Sequence, residues 1–312
     1  MIRLTTAFIT VQLLLQIAFS QDRLLVIQGA AGEETFEEQF SKAASLWMNL
    51  AEETVVPATH IHPGSDQVLM SDRIHEWITS EQTLSSEEIW IVYIGHGTSN
   101  DSGAKLNLQG PDVSSNEFAR WLAPFEGDLV FIHGGSASAP FMPQLASPGR
   151  TLITATRSGA EVNYARFGEL FAVAISSPES DLDLDGEISL LEAFIAASTS
   201  VDTFYEEAGR LASEHALIDD NGDGKGYQYS SFDGLRPKSD VQDGRRASRI
   251  FFRGTYSGSQ LSQRQLSDRN RLETELDELY SKKKDLSEVE YFQQLEEILD
   301  QLASLYRQPN DS

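Results

Sequence analysis

Residues 181–192 carry the clearest chemical pattern in the chain. Asp181, Asp183 and Asp185 stand at positions 1, 3 and 5 of a twelve-residue EF-hand-type loop, where side-chain oxygens ligate calcium. Gly186 at position 6 permits the sharp turn, and Glu187 at position 7 offers its carbonyl. Ile188 is the inward apolar anchor, Ser189 acts through water, and Glu192 at position 12 chelates with both carboxylate oxygens. Side chains so acidic and so close repel one another unless a cation sits between them. The pattern therefore predicts a calcium site, flanked by helices over 167–175 and 190–197.

A second acidic turn repeats the opening of that loop. Asp219, Asn221 and Asp223 take positions 1, 3 and 5, and Gly224 takes position 6. Gly226 then replaces the inward apolar residue, Ser230 occupies position 12, and no helical pattern follows. Two readings stay open: a second, weaker metal site, or an ordinary polar turn.

Another group could act on a carbonyl. Gly95-His96-Gly97 and the turn Gly134-Gly135-Ser136-Ala137-Ser138-Ala139 each follow a short apolar run. A serine hydroxyl becomes a nucleophile only with a base in hydrogen-bond reach, usually held by a third group. His96 is the candidate base, Ser136 the candidate nucleophile, and backbone amides near 95–97 the candidate oxyanion site. A nucleophile-elbow reading fails, because Ser138 stands at the elbow's second glycine and Pro140 follows where a helix should continue. His60 and His62 have strand-like ligand spacing without an evident third ligand. His75 lies on an amphipathic stretch, His133 adjoins the serine turn, and His215 precedes the second acidic turn, where it caps or packs.

These residues need a scaffold. Apolar runs at 24–27, 89–94, 128–132 and 151–156 alternate with amphipathic stretches at Glu34–Glu53, 72–79 and 115–122. Such alternation predicts an α/β domain over 21–256, with a mainly parallel sheet covered by helices on both faces. Ligands of such sheets sit beyond the carboxyl ends of the strands, which places His96 and Ser136 on one rim. Residues 257–267 read as a polar linker. A helical hairpin or short coiled coil follows in 257–312: Leu272, Leu276 and Leu279 on one helix, then Phe292, Leu295, Leu299, Leu302 and Tyr306 on the other. Ser287 and Glu290 form a capping box between them. The hairpin either packs on its own domain or mediates self-association through 269–306.

Composition narrows the function. The chain has 312 residues and a net charge of −24, so it repels phosphate backbones, which argues against a nucleic-acid partner. It contains no cysteine, which excludes thiolate chemistry and disulfides. Residues 1–20 carry one charge, Arg3, ahead of an apolar run, and small residues Ala18 and Ser20 precede Gln21. This is a signal-peptide layout with cleavage near Ser20–Gln21, the alternative being a retained anchor. An exported protein, periplasmic or secreted, with no membrane span after cleavage is the expectation.

The order of these parts resembles the caspase and legumain superfamily of peptidases over about residues 24–226. There a histidine after one strand acts with a cysteine after a second, in a Cys-x-Ser-Gly setting. Thr154-Ala155-Thr156 and Glu161 resemble the strand and loop that approach the substrate side chain. Lys105-Leu106-Asn107-Leu108-Gln109-Gly110-Pro111-Asp112 resembles a segment of bacterial exported members that also bear an acidic calcium loop. The resemblance puts His96 at the catalytic histidine, Ser136 at the cysteine and Ser138-Ala139 at the Ser-Gly. It implies a caspase-like fold, a peptide or protein ligand at the rim, and a proteolytically impaired homologue with a binding or scaffolding role. A serine-dependent peptidase or esterase is the alternative. Calcium on 181–192 then buttresses the rim structurally.

Overall fold

The computed structural model describes residues 22–64, 67–101, 103–252, 263–283 and 285–306. The expected signal segment 1–20, its cleavage point and most of the linker at 257–267 lie outside the described residues.

The chain begins with β1 (Arg23–Gln28), α1 (Glu34–Glu53), β2 (Ala58–Ile61), α2 (Met70–Thr79), α3 (Glu81–Leu84) and β3 (Glu88–Ile94). A small antiparallel sheet follows, made of β4 (Gly97–Asn100), β5 (Gly103–Leu106) and β6 (Val113–Ser114). Then come α4 (Ser115–Trp121), β7 (Asp128–His133), α5 (Met142–Leu145), β8 (Arg150–Thr154) and α6 (Phe167–Ala174). The domain continues through α7 (Leu190–Glu207) and β9 (Leu217–Asp219), and the hairpin is α8 (Gln263–Ser281) and α9 (Glu288–Tyr306).

The main sheet has the order β2-β1-β3-β7-β8-β9. All its pairings are parallel except the last, where β9 runs against β8. Its central strands β1, β3, β7 and β8 bury both faces, as near-continuous apolar runs require. Leu24, Val26, Trp90, Val92 and Val130 point to one face, against Phe40, Trp47, Phe171 and Phe194 of α1, α6 and α7. Leu25, Ile27, Ile89, Ile91 and Phe131 point to the other, against Ile74, Phe118 and Leu145 of α2, α4 and α5. The α/β class, the mainly parallel sheet and the helices on both faces are as the sequence predicts. Among the described residues, no helix is long and apolar enough to cross a membrane.

Three details differ from the sequence reading. Helix α7 runs ten residues past 197, because buried Ala197, Val201 and Tyr205 continue its four-residue spacing. The polar stretch that reads as its end is absorbed: Thr199 and Ser200 hydroxyls donate to the Ile195 and Ala196 carbonyls at 2.8 and 2.9 Å. Strands β2, β9 and the small sheet are too short and polar to read from the sequence.

The third difference is the hairpin. Phe292 and Leu299 are exposed, at 53% and 45%, while Tyr291 and Ile298 bury against Leu272 and Leu279. The apolar seam of α9 therefore runs Tyr291, Leu295, Ile298, Leu302 and Leu305, turned one residue from the expected stripe. The two stripes share Leu295 and Leu302, so helical periodicity alone fits both. The seven-residue step between Leu272 and Leu279 matches that between Tyr291 and Ile298.

Candidate functional site

The 181–192 loop joins α6 to α7 and is held from within by its own acidic side chains. Asp181 accepts from the Asp185 amide through Oδ1 (3.1 Å) and from the Gly186 amide through Oδ2 (3.0 Å). Asp185 Oδ1 accepts from the Glu187 amide at 2.8 Å. Carboxylate oxygens of Asp181, Asp183 and Asp185 lie within 4.8 Å of one another. Leu184 and Gly186 both take left-handed backbone, with φ of 61° and 87°, which curls the chain around that point. Ile188 is fully buried, as an anchor requires.

Glu192 closes the loop. Its Oε1 accepts from the Leu182 and Asp183 amides at 2.8 and 3.3 Å, and its Oε2 from the Ser189 amide and hydroxyl at 2.7 and 2.8 Å. Ser189 in turn accepts from the Glu192 amide, so the two residues form the capping box of α7. The hydroxyl expected to work through water is thus the helix N-cap. Burial, then the charges of Asp185, Glu192 and Asp181, pushes the Asp183 carboxyl up to about 7. Burial also raises those of Asp185 and Glu192. The oxygen-only donor set suits a hard cation of calcium size.

One contact to the loop is illegible in the sequence. Arg269 of α8, 2% exposed, donates to Asp185 Oδ2 at 3.0 Å and pairs with Glu187. Its guanidinium lies over the Phe251 ring, 5.0 Å from the centroid. Phe251 is bridged antiparallel to Ser189, and the Leu190 amide donates to the Ile250 carbonyl at 2.8 Å. The hairpin is therefore docked on the acidic loop of its own domain. Position 84 residues downstream offers no local signal for such a pair.

The second turn is ordered by the same kind of bonds. Asp219 accepts from the Gly222 and Gly224 amides at 2.8 Å each, Asn221 from Asp223 at 2.8 Å, and Asp223 from Lys225 at 2.8 Å. Burial raises the Asp219 carboxyl.

On the rim, adjacent parallel strands β3 and β7 bring His96 and Ser136 to the same end of the sheet. Their side chains part there. Ser136, 2% exposed, accepts from the Gly97 amide and donates to the Gly97 carbonyl, both at 3.2 Å. The fit is tight: a Cβ on Gly97 would stand 2.2 Å from the Ser136 carbonyl oxygen. The His96 ring packs edge-on against Phe36 and Phe40, at 4.7 and 5.2 Å between centroids, and burial lowers its pKa. Among the described residues no hydrogen bond joins Ser136 to His96.

The rest of the turn is also occupied. Ser138 is buried and exchanges hydrogen bonds with Thr156: the Ser138 amide reaches Thr156 Oγ1 at 2.8 Å, and the Thr156 amide reaches Ser138 Oγ at 3.0 Å. Ala137 between the serines is left-handed, with φ of 50°, and donates its amide to the Glu161 carbonyl at 2.8 Å. His133 is wholly buried; the Gly135 amide donates to its Nδ1 at 3.2 Å, which leaves the proton on Nε2. Burial depresses its pKa to about 3. His215 pairs with Glu161 at 2.6 Å, and Arg157 reaches the same carboxylate at 3.2 Å. His60 bonds Gln28 at 3.2 Å and is lowered to about 4 by burial and His62, while His75 packs on Trp121.

No family profile matches the chain, and no curated protein matches it. Among solved structures it is similar to the Drosophila initiator caspase Dronc, at 14% identity, covering 68% of this chain and 84% of that one, with a TM-score of 0.45. It is also similar to caspase-1 from Spodoptera frugiperda, at 9% identity over 71% of this chain and 92% of that one, with a TM-score of 0.42. Both likenesses are too distant to assign a site or an activity.

Proposed function

We propose that this is an exported calcium-binding protein of caspase-like design, whose rim is proteolytically impaired and serves binding or scaffolding. The state of Ser136 carries the reading. Its hydroxyl is spent on the amide and the carbonyl of Gly97, while His96 faces an aromatic cluster and the buried His133 has its Nδ1 taken by the Gly135 amide. A hydroxyl without a base in reach is a poor nucleophile at neutral pH.

Calcium on Asp181, Asp183, Asp185, the Glu187 carbonyl and Glu192 would act structurally. The loop fixes α6 against α7, and α6 supports the rim from below: a Cβ on Gly134 would stand 2.6 Å from the Gly168 Cα. A serine-reactive fluorophosphonate tests the reading. We expect no labelling and no peptide cleavage, with or without calcium. Labelling that disappears in Ser136→Ala would overturn it in favour of a serine-dependent peptidase or esterase.

A further inference from the structure

Asp243 holds a place that the sequence of the second acidic turn leaves vacant. Three hydrogen bonds recur at corresponding positions of the two loops, although the first aspartate's Oδ1 takes the position-5 amide in one and the position-4 amide in the other. The first aspartate accepts from the position-6 amide in each: Asp181 from Gly186 at 3.0 Å, Asp219 from Gly224 at 2.8 Å. Position 3 accepts from position 5 in each: Asp183 from Asp185, Asn221 from Asp223. Position 5 accepts from position 7: Asp185 from Glu187, Asp223 from Lys225. Left-handed backbone falls at positions 4 and 6 in both, at Leu184 and Gly186, then at Gly222 and Gly224.

The correspondence extends to the closing carboxylate. Glu192 Oε1 sits on the amides of positions 2 and 3, Leu182 and Asp183. In the second loop those amides are Asp220 and Asn221, and both donate to Asp243 Oδ1, at 2.9 and 3.2 Å. Asp243 is 0% exposed, and its other oxygen, Oδ2, is buried without a hydrogen-bond partner. Asp220 returns the clasp through Oδ2, accepting from the Gly244 and Ala247 amides at 3.0 and 2.7 Å. The carboxylate is thereby clamped over the turn.

The charge balance asks for a cation. Asp219, Asp220 and Asp243 are all buried, and Asp223 adds a fourth carboxylate at the edge. Arg246 is turned away, to Asp128 at 2.9 Å and the Gly149 carbonyl at 3.2 Å. Lys225 is well exposed and only reaches 3.9 Å from Asp223. Buried carboxylates persist when paired or when they ligate a metal. The donors are all oxygens, several of them anionic, which selects calcium over softer metals.

We propose that residues 219–225 and Asp243 form a second calcium site, with Asp219, Asn221, Asp223 and the Lys225 carbonyl as loop ligands and Asp243 in the role of the position-12 carboxylate. The site is independent of the 181–192 loop. Titrating calcium into the chelator-treated full chain by calorimetry tests it. The expected result is two equivalents for the native chain, with Asp243→Asn and Glu192→Gln each losing a different one and the double variant losing both. Asp223→Ala, at the loop surface, gives the same answer if Asp243→Asn does not fold: at least a tenfold weakening of one equivalent. A single equivalent in the native chain, lost in Glu192→Gln and untouched in Asp223→Ala, would overturn the proposal. So would heat from magnesium at the second site with none from calcium.

Discussion

The rim and the acidic loops are built from the same kinds of groups and use them in opposite ways. On the rim, each serine is consumed by a neighbouring peptide or hydroxyl: Ser136 by Gly97, Ser138 by Thr156. The buried imidazole beside them is neutral and shut in. In the first loop, backbone amides converge on three carboxylates whose oxygens crowd within 4.8 Å, with Arg269 offsetting part of the charge, and in the second the buried Asp243 Oδ2 is left without a hydrogen-bond partner. A site whose polar groups are already satisfied resists a ligand; one whose groups repel invites a cation. Chemistry in this molecule is therefore expected at the loops rather than at the residues that resemble a catalytic pair.

The largest break of that contrast is Glu192→Gln. The carboxylate holds four donors of the loop and of the α7 N-terminus, and it is the bidentate ligand in the proposed calcium site. Calcium affinity at that loop should fall at least a hundredfold. Thermal stability in calcium should fall by about 2–3 kcal/mol, the scale of lost charge-assisted hydrogen bonds. Calorimetry and thermal unfolding measure the two together. Affinity lost without stability would point to a sensor rather than a structural ion.

A pH series sharpens the same point. Asp183 is raised to about 7, and Asp243 to about 8 by burial and the nearby Asp220 and Asp219 charges. Carboxyls raised in the fold favour folding most below their unfolded values near 4, and that stability is lost as pH rises through 7 and 8. Buried His60 and His133 act oppositely, with stability gained up to about pH 6.5, so the informative window is pH 6.5–8. In chelator, stability should fall there by at most about 1.4 kcal/mol per pH unit for the fully buried Asp243, and by less for Asp183, which is partly exposed to solvent. Calcium should remove that slope, leaving the smaller share of Glu88, raised to about 7 by burial. Equal slopes with and without calcium, followed by denaturant melts, would break the comparison.

How much of this is legible in the sequence depends on how local the cause is. The apolar strands, α1 and the acidic pattern of 181–192 declare themselves in windows of a dozen residues. Asp243 accepts from the second turn from 23 residues beyond Asp220, and Arg269 reaches Asp185 from a separate helix, so neither has a spacing to read. Ser230 at position 12 made the second turn look incomplete for that reason. His96 and Ser136 share a rim as the strand order predicts, but whether a hydroxyl faces a base or a peptide is decided by ångström-level packing, such as the contact of Gly97 with Ser136. Periodicity chose the right helix for α9 and the wrong stripe by one residue.

Ser136→Ala probes the closed region. Its loss leaves the buried Gly97 amide without an acceptor, which should cost about 1–2 kcal/mol in denaturant unfolding. Calcium binding should be unchanged. A neutral outcome in stability would mean that the hydroxyl is free to turn toward His96, and would reopen the rim as a site of chemistry.

Leu184→Gly is the gentlest test, because it asks what the loop tolerates for the sake of the proposed ion. Leu184 is 85% exposed and left-handed, whereas the matching position of the second loop is Gly222, with φ of 76°. A side chain in that conformation costs about 1–2 kcal/mol, and glycine gives back part of the gain through a freer unfolded chain. The net is a stabilisation of about 0.5–1 kcal/mol in thermal unfolding, and slightly tighter calcium binding, since the ion no longer has to hold a strained backbone. The converse, Gly222→Ala, meets the Ser147 carbonyl at 2.3 Å as well as the positive φ, and should weaken the second loop instead. Opposite signs at corresponding positions would show that one loop geometry is filled by two different sequences, one open to solvent and one pressed against the domain.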